Sequence, residues 1–359
     1  MTANSRWPTG AGTRFLVAAA SIVIVVAGLR EASQLVLPFL VAVFLAVVSV
    51  PFMRWLHRLG LPLPLAVFST VLAAIGVMSL LVIVIGQSVN EFTVAAPFYQ
   101  DRLQALMEST LDLLEGYGVP ITGAASLDLL PVGIFDVLGT ALGAVTSFAS
   151  RTFLVFLTVI FILMEAAGFS GKLQRAFGEG TDLGQFERMT QQVQKYLVIK
   201  TAMSAITGTV VGLWAALMGL DFALLWGVTA FLLNFIPNLG SIIAAVPAVL
   251  LAVVQFGPGR AAAIAVGYLV INMVFGSFLE PMLLGRRLGL STLVVFVSLV
   301  VWGWVWGPIG MLFSVPLTMT IKIALENTQD LKWIAVMLDA NPSSRRLAAA
   351  EKAAVSPYS

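Results

Sequence analysis

Cysteine is absent from this 359-residue chain, and histidine occurs once, at His57. Without cysteine the chain has no disulfide, no thiolate nucleophile and no cysteine-ligated metal. A single histidine does not supply the nitrogen ligands that a transition-metal site needs. We therefore expect a protein with no metal and no other cofactor.

Charge is also scarce, at 11% of residues, whereas a soluble domain has about a quarter. Apolar residues make up 59% of the chain and the mean hydropathy is +0.98. These values predict an all-α, polytopic helical membrane protein whose surroundings are the lipid bilayer. The net charge of +2 is too small to indicate a nucleic-acid partner.

Uncharged runs mark the predicted spans. A crossing takes about 20 residues, so the runs predict about eight spans, two of which are broken hairpins. The unbroken runs are 15–29, 32–53, 59–90, a fourth span centred on 152–164, 201–220 and 261–279. The run at 15–29 is followed directly by further apolar sequence, and we interpret it as a retained span.

Charge asymmetry predicts the orientation. Segment 91–148 has seven acidic residues and one basic residue, which favours an amphipathic helical segment outside the cytoplasm. The loops at 54–58 and 285–287 and the polar segment 165–200 are rich in basic residues, which favours the cytoplasmic side. Both termini are then expected in the cytoplasm.

Composition divides the chain into five predicted units. They are an N-terminal three-span unit (1–90), the extracytoplasmic helical segment (91–148), the fourth span with a cytoplasmic amphipathic helix (149–200), a transport core with the broken hairpins (201–326), and a cytoplasmic surface helix with a disordered tail (327–359).

The first broken hairpin covers 222–256 and is interrupted at 236–241, where the sequence reads IPNLGS. Its halves rise only about 21 and 22 Å at about 1.5 Å per residue, less than a bilayer core of about 30 Å. The pair is either a re-entrant hairpin or two short spans. Both options leave the membrane orientation of the remaining spans unchanged, and we favour the re-entrant hairpin.

The second broken hairpin covers 288–321, a run of 34 uncharged residues interrupted at 303–310. It is expected to enter from the cytoplasm, whereas the first is expected to enter from outside. Each has a Pro, a Gly and a later Pro in the same order: Pro237, Gly240 and Pro247, then Pro308, Gly310 and Pro316. Opposed broken helices are typical of the inverted repeats of secondary carriers.

Polar groups at the first break are candidates for binding substrate. The amides of Asn234 and Asn238 flank Pro237, where they either bind a solute or repair backbone groups that the break frees. Gly240 and Ser241 open the second half-helix, whose free N–H groups and partial positive charge suit an anion or a polar oxygen.

Asn272 and the second break complete the predicted substrate site. Asn272 lies eight residues before Glu280, on nearly the same helical face, and extends a polar track. Gly307, Pro308 and Gly310 interrupt the second hairpin. Three tryptophans surround this break and either pack at the interface or wall a substrate path: Trp302, Trp304 and Trp306.

Few charged residues lie near the predicted core. Glu280 ends a 19-residue uncharged run, and it either carries a coupling ion or pairs with Arg286 at the interface. Arg286 and Arg287 are topological anchors or gating residues. Asp221 is predicted to cap the first broken helix, and Lys322 is predicted to reach the cytoplasmic interface.

One further pattern concerns helix packing. Gly208 and Gly212 form a Gly-x-x-x-Gly motif in the fifth span, a pattern that lets helices approach closely in lipid.

Three motifs in the second half of the chain resemble a known family. They are NFIPNLGS at 234–241, EPMLLGRRLGLS at 280–291, and WGWVWGPIGM at 302–311 followed by VPL at 315–317. In order and spacing they are similar to motifs of the autoinducer-2 exporter family of bacterial permeases, and the resemblance covers roughly 15–335. It implies an inner-membrane, oligomeric exporter with a role in quorum sensing. One departure is Lys200, where many members have Gln.

We therefore expect a secondary transporter that exports a small polar solute, such as an autoinducer-2-like signal or metabolite, with proton or sodium coupling. The alternative is an ion/proton antiporter or an oligomeric channel of the same family. The chain has no P-loop, so it has no ATPase of its own. It is not expected to be an enzyme, because His57 lies in a basic loop and Asp221 has no paired intramembrane carboxylate. A homo-oligomer is expected.

Overall fold

The structure is a computed structural model, and it describes residues 11–116, 152–177, 184–237, 239–284, 290–326, 328 and 332–339. These residues form eleven α-helices and one π-helix. The first six are α1 (Ala11–Glu31), α2 (Ser33–Arg58), α3 (Leu63–Gly116), α4 (Thr152–Phe177), α5 (Gly184–Leu217) and α6 (Ala223–Leu233). They are followed by α7 (Gly240–Phe256), α8 (Pro258–Ile271), the π-helix (Asn272–Leu279), α9 (Glu280–Leu284), α10 (Thr292–Glu326) and α11 (Lys332–Met337).

Five helical stretches of the described chain are long and apolar enough to cross a membrane: Ser33–Arg58, Leu63–Ala105, Thr190–Leu217, Pro258–Leu284 and Thr292–Glu326. Helices are required here because lipid offers no partner for backbone N–H and C=O groups. The protein is an all-α, polytopic membrane protein, as the sequence predicts.

Helices α5 and α6 pack closely through glycine. A Cβ placed on Gly208 would lie 2.6 Å from the carbonyl oxygen of Gly227 and 2.7 Å from Cβ of Phe231. One at Gly212 would lie 3.4 Å from Cα of Gly227. The Gly-x-x-x-Gly motif therefore marks a real helix contact, and it joins α5 to the first broken hairpin.

Hairpin 1 consists of α6 and α7, which are joined by a reversal at 234–239. Helix α6 has only 11 residues, or about 16 Å of rise. At the start of α7, Gly240 rests against the backbone carbonyl of Leu233, the last residue of α6, and leaves no room for a Cβ. The predicted break at 236–241 is confirmed.

Hairpin 2 consists of the two limbs of α10, on either side of Trp306 and Gly307. The backbone leaves helical geometry at Trp306 (φ −128°, ψ 15°) and Gly307 (φ 63°, ψ −147°). The indole Nε1 of Trp302 donates a hydrogen bond to Oγ1 of Thr318 at 3.1 Å. Those residues would be about 24 Å apart along a straight helix, so the limbs fold back on each other. Gly310 rests against the carbonyl of Trp302, much as Gly240 rests against that of Leu233.

The two hairpins approach α5 from its opposite ends. The base of hairpin 1 adjoins Asp221, just after the C-terminus of α5, and its reversal reaches back to Ser204. The base of hairpin 2 packs with Tyr196 and Leu197, near the N-terminal half of α5, in one apolar cluster with Leu290 and Met319. The opposed arrangement matches the expected geometry of the hairpins, whereas their re-entrant placement in the bilayer stays a prediction.

Two expectations about charged residues are wrong. The N-cap of α6 is Phe222, in the left-handed region at φ 58°, and no side chain caps the helix. The carboxylate of Asp221 instead accepts a hydrogen bond from the hydroxyl of Tyr99 on α3. Lys322 does not reach out to water as a snorkelling lysine would. It is 4% exposed, 3.5 Å from Asp339 and 3.8 Å from Glu326, because α11 folds against the base of hairpin 2.

Two predicted unit boundaries fall inside helices. Helix α3 runs through residues 90 and 91 as far as Gly116, and α5 runs through residues 200 and 201. Each of these helices carries a membrane span directly into a polar segment. The division into five units stays a prediction, and most of its predicted extracytoplasmic segment (117–148 of 91–148) lies outside the described residues.

Candidate functional site

The reversal of hairpin 1 places a buried amide against α5. Nδ2 of Asn234 donates a hydrogen bond to Oγ of Ser204 at 3.0 Å, and Asn234 is buried. The amide therefore fastens the hairpin to its neighbouring helix, and its oxygen and second N–H add polarity to this region. Pro237 is half-buried beside it, and Asn238 lies outside the described residues.

The N-terminus of α7 adds partial positive charge at the same reversal. Its N-cap, Leu239, offers no side-chain hydrogen bond, and its first turn has no acidic residue. Gly240 is buried and Ser241 is half-buried. A helix N-terminus in this condition attracts anions and polar oxygens, and the substrate-binding role of Gly240 and Ser241 stays a prediction.

A cavity of about 280 Å³ separates this reversal from hairpin 2. Pro237 and Leu239 line it from hairpin 1. Hairpin 2 supplies the opposite wall from the first limb of α10: Thr292, Leu293, Val295, Phe296 and Leu299. The lining is mostly apolar, so relative movement of the two hairpins would cost few polar contacts.

A buried ion pair lies one helical turn from Ser204. Nζ of Lys200 on α5 is 2.6 Å from Oε1 of Glu280, and their side chains are 5% and 15% exposed. The expected partner of Glu280 was Arg286, but both Arg286 and Arg287 lie outside the described residues. In the described part of the chain Glu280 pairs with Lys200, from a helix 80 residues earlier.

The π-helix leads directly into this pair. It covers Asn272–Leu279, and Glu280 and Pro281 follow it. Pro281 has no N–H to donate, so the helical ladder is already weakened here. The side chain of Asn272 folds over Gly276, where a Cβ would lie 2.8 Å from its Oδ1. Single π-turns are frequent at functional sites, and the polar track from Asn272 to Glu280 stays a prediction.

An aromatic contact links both hairpins to α2. The ring of Phe44 lies 5.9 Å from that of Phe235 in the reversal of hairpin 1, with edge-to-face geometry. It lies 5.3 Å from that of Phe313 in the second limb of hairpin 2. Phe44 is therefore positioned to transmit a displacement of one hairpin to the other.

The reversal of hairpin 2 lies elsewhere, beside the end of α1. Nε1 of Trp306 donates a hydrogen bond to the carbonyl of Leu29 at 2.9 Å. The guanidinium of Arg30 lies 4.8 Å from the ring of Trp304, which is exposed. The sequence grouped Gly307, Pro308 and Gly310 with Asn234 as one substrate site, but the structure places the two reversals against different helices.

The tryptophans around the second break have separate roles. The rings of Trp302 and Trp306 lie 5.0 Å apart, and both indole N–H groups are hydrogen-bonded inside the protein. Trp304 points the other way, to the outer surface. The first two are packing residues of the hairpin reversal.

Lys200 and Ser204 were not recognised as site residues from the sequence. A weak signal exists in the sequence. Three polar residues recur at helical spacing in this mostly apolar stretch, and all three are buried: Lys200, Ser204 and Thr207. Phe44 carries no signal, since phenylalanine is common in membrane spans. Only the packing of α2 against both hairpins reveals it.

A polytopic helical bundle with two opposed hairpins and buried polar groups at a reversal is the construction of a membrane transport protein. The comparisons with known proteins agree. The chain belongs to the AI-2E transporter family, whose model matches residues 18–330.

Three relatives cover nearly the whole chain. The AI-2 transport protein TqsA of Escherichia coli (strain K12) is 39% identical over 335 residues, which is 91% of this chain and 96% of that protein. A relative described as "putative transport protein YhhT", from the same organism, is 35% identical over 341 residues, which is 94% of this chain and 98% of that protein. A Haemophilus influenzae relative is 35% identical over 333 residues, 90% and 96% of the two chains.

Proposed function

We propose that this protein is a secondary transporter that exports a small polar solute of the AI-2 kind across the bacterial inner membrane, with flux coupled to protons or sodium. The name of its relative TqsA supports AI-2 as the first solute to test. The proposal includes cytoplasmic termini, following the distribution of basic loops, and a homo-oligomer, following the family resemblance.

The opposed hairpins carry this proposal. The reversal of hairpin 1 is held to α5 by the buried Asn234–Ser204 hydrogen bond. Lys200, which pairs with Glu280, lies one turn before Ser204 on α5. Buried polar groups are costly in a membrane protein and tend to mark solute or ion paths. The amide of Asn234, the ammonium of Lys200 and the carboxylate of Glu280 together can replace the water around a small polar solute.

In this proposal, the solute replaces the Asn234–Ser204 contact and hairpin 1 moves relative to hairpin 2. The apolar cavity between them lets the surfaces slide, and Phe44 transmits the movement because it contacts both hairpins. Alternating access in carriers of this architecture is mainly rigid-body movement around a fixed site.

A second candidate is an ion/proton antiporter or an oligomeric channel. The buried Lys200–Glu280 pair favours the antiporter, because ionisable groups deep in membrane proteins often belong to proton relays. An antiporter would move protons against another ion without AI-2, and a channel would give flux that does not saturate.

The test is AI-2 efflux from proteoliposomes under an imposed pH or sodium gradient. Wild type is compared with Asn234→Ala and Ser204→Ala, which remove opposite ends of one hydrogen bond. If Asn234 binds solute, its replacement raises KM by about tenfold, the factor that corresponds to about 1.4 kcal/mol. Ser204→Ala then changes KM much less.

Equal changes in KM for the two variants would mean that Asn234 only holds hairpin 1 against α5 and does not bind solute. Saturable, gradient-driven efflux would support the carrier. Proton or sodium movement without AI-2 efflux would replace it with the antiporter or channel.

A further inference from the structure

The positive charge of Lys200 and the negative charge of Glu280 cancel only while the two side chains remain paired. Both side chains are largely buried, and their surroundings include the apolar cluster that contains Tyr196, Leu197 and Leu284. Tyr196, buried one turn earlier on α5, is another titratable group that interacts electrostatically with Glu280. No second carboxylate of the described chain is paired with Lys200.

Charge balance restricts how this pair can take part in transport. A proton bound to Glu280 would leave the ammonium of Lys200 buried without a counter-charge, which is strongly unfavourable. As long as Lys200 remains an ammonium, the protonated state of Glu280 therefore requires an anion at Lys200. In the resting pair the carboxylate of Glu280 occupies that place, so the anion and the unprotonated carboxylate compete for one ammonium.

A second, independent feature also attracts anions near this position. The N-terminus of α7 lies at the reversal of hairpin 1, with no side-chain cap and no acid in its first turn. Asn234 connects that reversal to Ser204, one turn from Lys200 on the same helix. The N-terminus of α7 and the ammonium of Lys200 thus both favour negative charge in this part of the protein.

We propose that the transported solute is a small monoanion bound by Lys200, and that it moves together with one proton carried by Glu280. This inference rests on the proposed transport function and names the solute class. In the loading step a proton from water forms an O–H bond on Glu280, and the ammonium–carboxylate contact breaks. Lys200 keeps its proton and receives an oxygen of the anion. Release reverses both changes, and no net charge crosses the membrane.

The experiment uses full-length protein in proteoliposomes and two probes of nearly equal size, L-lactate and lactamide, which differ by one negative charge. Efflux is measured with the interior acidic relative to the exterior, with the membrane potential clamped at several values. Two variants test the pair. Lys200→Arg keeps a cation that can bind both carboxylate and anion. The double variant Lys200→Met with Glu280→Gln removes both charges and leaves no buried ion unpaired.

We expect proton-driven lactate efflux that is independent of the potential, with little lactamide efflux. Lys200→Arg should retain this flux. The double variant should lower it by about tenfold or more, because a charge-assisted contact is worth at least that factor in affinity. Thermal unfolding checks that the double variant folds, since neutral replacement of a buried pair is usually tolerated.

Lactamide moving as fast as lactate, flux that varies with the potential, or a double variant equal to wild type would each overturn the inference. AI-2 efflux with no lactate movement would reject the monoanion while leaving the proposed function intact. Absence of AI-2 and lactate efflux alike, in a folded protein, would reject the transport proposal itself.

Discussion

The contact between α5 and α6 gives the sharpest structural prediction, through the change Gly208→Ala. The added Cβ would lie 2.6 Å from the carbonyl oxygen of Gly227 and 2.7 Å from Cβ of Phe231. Backbone atoms cannot rotate away, so the two helices must separate. Overpacking of this kind costs about 1–3 kcal/mol, while replacing a helical glycine gains about 0.5–1 kcal/mol.

Two other glycines provide matched controls. A Cβ at Gly86 meets nothing within 4 Å, and one at Gly212 meets Cα of Gly227 at an ordinary 3.4 Å. We expect Gly86→Ala to stabilise the protein slightly and Gly212→Ala to be near neutral. Gly208→Ala should be about 2 kcal/mol less stable than Gly86→Ala, once overpacking and helix propensity are combined.

The assay is thermal unfolding of the three purified variants in one detergent, followed by intrinsic tryptophan fluorescence. The ranking Gly86→Ala above Gly212→Ala above Gly208→Ala is expected. If Gly208→Ala unfolds at the same temperature as Gly86→Ala, α5 and α6 are not in contact at this point and the reasoning is refuted.

Two further predictions concern the bases of the hairpins. Tyr99→Phe removes the hydroxyl that donates to Asp221, and should lower stability by about 1 kcal/mol, since Asp221 is exposed and its bond is screened. Chemical denaturation measures the change, and an unaltered midpoint would mean that α3 does not hold hairpin 1. Asp339→Asn weakens the buried contact to Lys322 and should cost about 1–3 kcal/mol in the same assay. As a control, Glu165→Gln removes one partner of the exposed pair with Lys172 and should lower stability by under about 1 kcal/mol. Equal losses of stability in the two variants would contradict the buried role of Asp339.

Local patterns predicted the elements well because helices and breaks depend on neighbours within a few residues. Long uncharged runs indicate spans, and the Pro–Gly clusters at 237–240 and 308–310 indicate both reversals. The resemblance of the two reversals was visible only as a shared order of Pro and Gly. The structure gives it a physical basis, since Gly240 and Gly310 each rest against a backbone carbonyl from the preceding limb.

The candidate site was predicted only in part. Asn234, Gly240 and Ser241 lie at one reversal and Glu280 is in an ion pair, while their roles in binding and coupling stay predictions. The second reversal contacts α1 through Trp306, and the substrate-binding role of Gly307 and Pro308 stays a prediction.

The sequence by itself determined an all-α membrane protein, the two helix breaks and the glycine motif of α5, because each of these depends on composition or on residue spacing within one helix. Tertiary structure alone decided that Glu280 meets Lys200, that Lys322 is buried against Asp339, and that Phe44 contacts both hairpins. The physical reason is that a side chain's partner on another helix depends on where the helices cross, and in lipid that crossing is decided by packing between helices. Charge and hydropathy along the chain cannot specify it.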